Sequence, residues 1–114
     1  MDVPAERFEQ LVADALDSLP ENLGRVMDNV WVTVEDRDRG GRPLLGLYEG
    51  VPLTGREAYG GMAMPDRITI FRLPICRSCR TEDEVVEMVR ETVIHEVAHH
   101  FGISDERLDE LGWG

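Results

Sequence analysis

The chain has 114 residues, 42% hydrophobic and 31% charged, which excludes a disordered polymer and predicts one globular domain over residues 1–114. A domain of this size buries about two-thirds of its unfolded surface, enough for one core without disulfides. The net charge of −11, from 23 acidic against 12 basic residues, argues against nucleic acid or an anionic membrane as partner, since both require a basic face. No run of about 18 apolar residues exists, so no membrane span is expected. The first residues, Met1-Asp2-Val3-Pro4-Ala5-Glu6-Arg7, lack the basic and apolar regions of a signal peptide, and a cytoplasmic location is expected.

Residues 4–19 predict a first helix. Phe8, Leu11, Val12, Ala15, Leu16 and Leu19 recur at three- and four-residue steps, Pro4 suits a first helical turn, and Pro20 ends the segment. Residues 30–34, β-branched with Trp31 among them, predict a strand. A charged, glycine-bearing turn over 36–43 leads to a second short strand at 44–48. Residues 50–61 carry four glycines and Pro52 and form the longest stretch without a pattern. Such a stretch is either a cleft border or a plain connector. A third strand is predicted at 67–73. Pro65 and Pro74 flank it and are compatible with an edge strand along a cleft, the alternative being an interior strand.

Thr81-Glu82-Asp83-Glu84 is a capping box that opens a long helix reaching about Phe101. Val85, Val86, Val89, Val93, Val97 and Phe101 form its core-facing stripe. Ser104 is expected to cap a short final helix over 105–111, with Leu108 and Leu111 packing inward. The fold class is therefore α+β: a small mixed sheet packed against the long helix, with helices at both ends of the chain.

Near the end of the long helix stands His95-Glu96-Val97-Ala98-His99, an H-E-x-x-H pattern. Residues i and i+4 share one helix face, so the two imidazoles can reach one ion. Glu96 lies about 100° further round the helix, beside such an ion and not under it. A carboxylate there can take a proton from metal-bound water. Zinc suits the set, because it accepts imidazole and carboxylate in a tetrahedral site and keeps a position open for water. Gly102 can end the helix in a left-handed conformation, after which Asp105 is the candidate third ligand, with Glu106 and Asp109 as nearby substitutes. Asp105 also has an ordinary role as a carboxylate in a first helical turn. His100 is at a poor angle for the same ion and is expected at the edge of the core.

The extended pattern H-E-x-x-H-x-x-G-x-x-D, the segment Pro65-Asp66-Arg67-Ile68-Thr69-Ile70-Phe71-Arg72 and the tail Asp105-Glu106-Arg107-Leu108-Asp109-Glu110-Leu111-Gly112-Trp113 resemble a family of small bacterial zincin-like metallopeptidases with a minimal zincin fold. The resemblance covers residues 65–113 directly and nearly the whole chain with the weaker first half. Members carry Asp or Glu three positions after the glycine, and Asp105 matches. The resemblance implies zinc binding through His95, His99 and Asp105, Glu96 as general base, and a cleft for a peptide or protein substrate.

The competing class is a non-catalytic zinc- or peptide-binding module on the same scaffold. A purely structural zinc would need a fourth protein ligand, and no fourth His or Cys follows the motif. Tyr48, Tyr59 and several arginines are unranked candidates for an oxyanion donor. Cys76-Arg77-Ser78-Cys79 offers two ligands where a structural zinc needs four. It precedes a helix but follows no βαβ pattern, so structural or incidental cysteines are expected. A reversible disulfide is the alternative, with Arg77 and Arg80 lowering the thiol pKa.

Overall fold

The computed structural model describes residues 1–50 and 65–113. Beyond Gly50, the glycine-bearing stretch and Tyr59 lie outside the described residues. The elements in chain order are α1 (Ala5–Asp17), α2 (Glu21–Val26) with a 3-10 turn Met27–Asn29, β1 (Val30–Glu35), β2 (Gly46–Glu49), β3 (Asp66–Phe71), α3 (Arg72–Arg77), α4 (Glu82–His100) and α5 (Asp105–Leu111). Helices around a small mixed sheet make this an α+β fold.

The strand order is β1-β3-β2. β1 runs parallel to β3, from Val30↔Asp66 to Glu35↔Phe71. β2 runs antiparallel to β3, from Gly46↔Ile70 to Glu49↔Arg67. β3 is therefore the central strand and not the edge strand that its flanking prolines allow. Pro65 and Pro74 both fall outside Asp66–Phe71, so neither removes a ladder donor. The burial agrees. Ile68 and Ile70 are fully buried on one face, and Thr69 and Phe71 are buried on the other. Continuous burial is what a strand paired on both sides shows. Among the described residues, the edge strands are β1 and β2.

The core gathers Phe8, Leu11 and Ala15 of α1, Ile68 and Ile70 of β3, and Val85, Val89, Val93 and Val97 of α4. Each of these larger side chains contributes about 1.5–3 kcal/mol by leaving water. α1 packs along α4, and α4 lies against both β2 and β3. Covered on two sides, α4 also buries Thr92, Ile94 and Ala98, beyond the single valine stripe. Phe101 departs from that stripe: it is 53% exposed, because the helix has ended and Phe101 is its C-cap. Val86 is half-buried.

Two helices escape the periodicity because six residues are too few to display it. Pro20 stands at the N-cap of α2. α3 begins at Arg72, where a strand running to residue 73 was expected. Pro74 falls in the first turn of α3, where its missing N–H has no helical partner to lose. The Leu73 N–H donates to the Asp36 carbonyl at 3.0 Å, and Arg72 bridges Asp36 and the Val3 carbonyl. No helix among the described residues is long and apolar enough to cross a membrane.

Candidate metal centre on the motif helix

α4 is fixed at both ends. At the start, Thr81 Oγ1 accepts from the Glu84 N–H at 3.1 Å, and the Glu84 carboxylate accepts from the Thr81 N–H at 3.2 Å. Such a cap stabilises the helix by about 1 kcal/mol. At the end, Gly102 takes φ +68°. The Ile103 N–H then donates to the Ala98 carbonyl at 2.8 Å, and the Gly102 N–H to the His99 carbonyl at 3.3 Å. That paired closure needs a left-handed residue just past the cap, which glycine enters at little cost.

Between these ends, three faces of the last two turns have separate duties. Val93 and Val97 are buried in the core. His95 and His99 stand one turn apart on an exposed face. Thr92, Glu96 and His100, spaced by four, form a row along β2. The Thr92 methyl meets Gly46, where an added Cβ would lie 2.7 Å from Thr92 Cγ2. Glu96 Oε1 accepts from the Tyr48 N–H at 3.1 Å. His100 stacks on the Tyr48 ring, with centroids 3.9 Å apart and planes 21° apart.

The row ends in a small polar cluster. The Tyr48 hydroxyl donates to Asp66 Oδ2 at 2.7 Å, and His100 Nε2 lies 4.0 Å from the same oxygen. Phe101 stands edge-on to both the His100 and Tyr48 rings. His100 is exposed and meets the core through Tyr48, which packs against it. The sequence offers one signal for this: Glu96 and His100 are i and i+4, so they share a face. Asp66 carries no such signal, because only the pairing of β3 brings it to Tyr48.

Glu96 is the partly buried member of the motif, with 23% of its side chain exposed. Its two oxygens are distinct. Oε1 is held by a backbone amide, and Oε2 lies 4.0 Å from His99 Nδ1. The carboxylate is thereby anchored beside His99.

Asp105 is the first residue of α5 and is exposed. Ser104 caps that helix, its Oγ accepting from the Arg107 N–H at 3.2 Å. Glu106 and Asp109 are exposed on the same helix. Among the described residues, no three His, Cys, Asp or Glu side chains gather closely enough to hold a metal. The structure places Glu96 Oε2 4.0 Å from His99 Nδ1, with His95 one helical turn earlier on the exposed face, and does not gather Asp105 with them. The donor chemistry of the two exposed imidazoles suits zinc, with the anchored carboxylate alongside.

Cys76 and Cys79 are free thiols buried in the core. Burial raises the Cys79 pKa, and the nearby Glu84 and Cys76 raise it further. The shift is opposite to the lowering expected from the flanking arginines; its one lowering influence is the charged N-terminus, and burial outweighs it. A buried thiol with a raised pKa is a poor nucleophile.

A family model described as zincin-like metallopeptidase matches residues 27–113, from the 3-10 turn to the end of the described chain. No curated protein matches the sequence.

Proposed function

The chain belongs to the zincin-like metallopeptidase family, and on that premise we propose that it hydrolyses peptide bonds with a zinc ion held by His95, His99 and Asp105 and with Glu96 as general base. A zinc ion bound there supplies a water of pKa about 7 and polarises the scissile carbonyl. Glu96 has the proton-handling role. With Oε1 tied to the Tyr48 amide, Oε2 is left to accept a proton from water and deliver it to the leaving amine. His95 and His99 bind and take no proton in this reading. The acidic balance of the chain supports a peptide or protein substrate over nucleic acid or membrane.

One observation carries the reading: the Tyr48–Glu96 hydrogen bond, which fixes the motif carboxylate at the sheet edge beside two exposed histidines. The test is a broad peptide library incubated with the zinc-loaded chain and followed by mass spectrometry. Cleavage that stops on chelation and returns with zinc is the expected result. An intact library overturns the reading. If peptides still bind, the chain is a binding module on the zincin scaffold.

A further inference from the structure

All basic residues of this acidic chain are arginines. Among the described residues, every arginine except Arg37, Arg77 and Arg80 has its guanidinium within 4.0 Å of a carboxylate. With 23 carboxylates available to 12 cations, an arginine without one is the exception. Two of the three exceptions, Arg37 and Arg77, line one cavity of about 480 Å³.

That cavity lies between the segment joining β1 to β2 and the helix α3. Pro43, Leu45, Leu73 and Pro74 form its apolar wall, and Arg42 joins the other two arginines around it. Asp38 is the one carboxylate in the lining, and it is already occupied. Its Oδ2 accepts from Arg42 N and Nε at 3.1 and 2.9 Å, and its Oδ1 from Arg42 Nη2 at 3.2 Å. The cavity is therefore lined by three arginines against one satisfied carboxylate, on a chain of net charge −11. Guanidinium groups match the paired oxygens of carboxylate and phosphate.

The cavity is also remote from the motif. It adjoins the Phe71 end of β3, where the Leu45 carbonyl accepts from the Phe71 N–H. The histidine-bearing end of α4 meets the other end, at Asp66. The geometry points to a second site, distinct from the motif helix, that binds an anionic group, carboxylate or phosphate, carried on an apolar body. Arg37 and Arg77 bind the anion, and the proline and leucine wall receives the body.

The test is an NMR titration of the full chain with three probes: inorganic phosphate, N-acetyl-leucine and N-acetyl-leucinamide. Phosphate, N-acetyl-leucine or both should move the amide resonances of Arg37, Leu45 and Arg77, and the neutral amide should leave them in place. A response to phosphate alone assigns a phosphate group. A response to N-acetyl-leucine alone assigns a peptide carboxylate. Arg37→Ala and Arg77→Ala should each weaken binding roughly tenfold, the effect of one lost charged hydrogen bond. Arg37→Lys should retain part of it, since the charge remains. Arg80→Ala, which removes the unpaired arginine outside the cavity, should change nothing. The inference is overturned if neither anion moves those resonances, if the neutral amide moves them equally, or if Arg80→Ala weakens binding as much as Arg37→Ala.

Discussion

Glu96 Oε1 accepts a hydrogen bond from the Tyr48 backbone N–H at 3.1 Å, so the motif carboxylate is tied to strand β2. The bond sits in the middle of a matched ladder. Thr92, Glu96 and His100 advance by four residues along α4, while Gly46, Tyr48 and Gly50 advance by two along β2 and its continuation. Eight helical residues rise about 12 Å, and four extended residues span about 13 Å. The contacts at both ends stay in register as a result. An added Cβ on Gly50 would lie 3.1 Å from His100 Cε1.

The ladder predicts the effect of filling its tightest point. In Gly46→Ala, the new methyl would lie 2.7 Å from Thr92 Cγ2 and 3.2 Å from the Thr69 carbonyl. Overpacking of this kind costs about 1–3 kcal/mol. Thr92→Ser removes the clashing methyl and keeps the hydroxyl that donates to the Met88 carbonyl. The double variant should therefore recover part of the loss in a urea-unfolding cycle. Additive losses would show that Gly46 and Thr92 do not share a contact.

His100 separates the two faces of α4. Zinc content by elemental analysis should fall in His95→Ala and in His99→Ala and persist in His100→Ala. The last variant should instead lose about 0.5–1.5 kcal/mol of stability with the Tyr48 stack. Zinc lost equally from all three variants would put His100 in the ligand set.

Much of this helix is legible in the sequence, because its signals are local. Thr81 and Glu84 mark the start, the valine spacing marks the buried face, and Gly102 and Ser104 mark the turn into α5. The identity of the edge strand is not legible. Val30 pairs with Asp66 across a long stretch of chain, and no short-range pattern encodes that choice. Tyr48 is hidden for another reason: the group that holds Glu96 is a backbone N–H, which nearly any residue supplies. The first-turn position of Asp105 is legible, but a carboxylate suits that position with or without a metal.

Asp105 is accordingly tested against its neighbours. As third ligand, Asp105→Ala should weaken zinc binding by about tenfold or more, the loss that even outer partners of a metal site produce. Glu106→Ala and Asp109→Ala should leave affinity near wild type. The reverse pattern would move the third ligand to one of those carboxylates.

Asp38 supplies a pH dependence. Hydrogen bonds from the Arg42 side chain hold its carboxyl below the usual aspartate value, against the opposing effect of burial. A folded pKa below the unfolded one favours the native state when the group is ionised. This contribution is complete above the unfolded value of about 4 and is lost as pH falls from there through the lower folded value. In thermal melts, Asp38→Asn should be less stable than wild type at pH 7, and the gap should close below about pH 4. A gap that is constant down to pH 2 would assign the loss to something other than the charge.

In the proposed reaction Glu96 moves a proton and does not bind the metal. This assignment is tested most directly by the hydrolysis rate of Glu96→Gln at matched zinc occupancy. Full zinc content is expected, with a rate lower by on the order of a hundredfold or more. Peptide cleavage at the wild-type rate by zinc-loaded Glu96→Gln would contradict it.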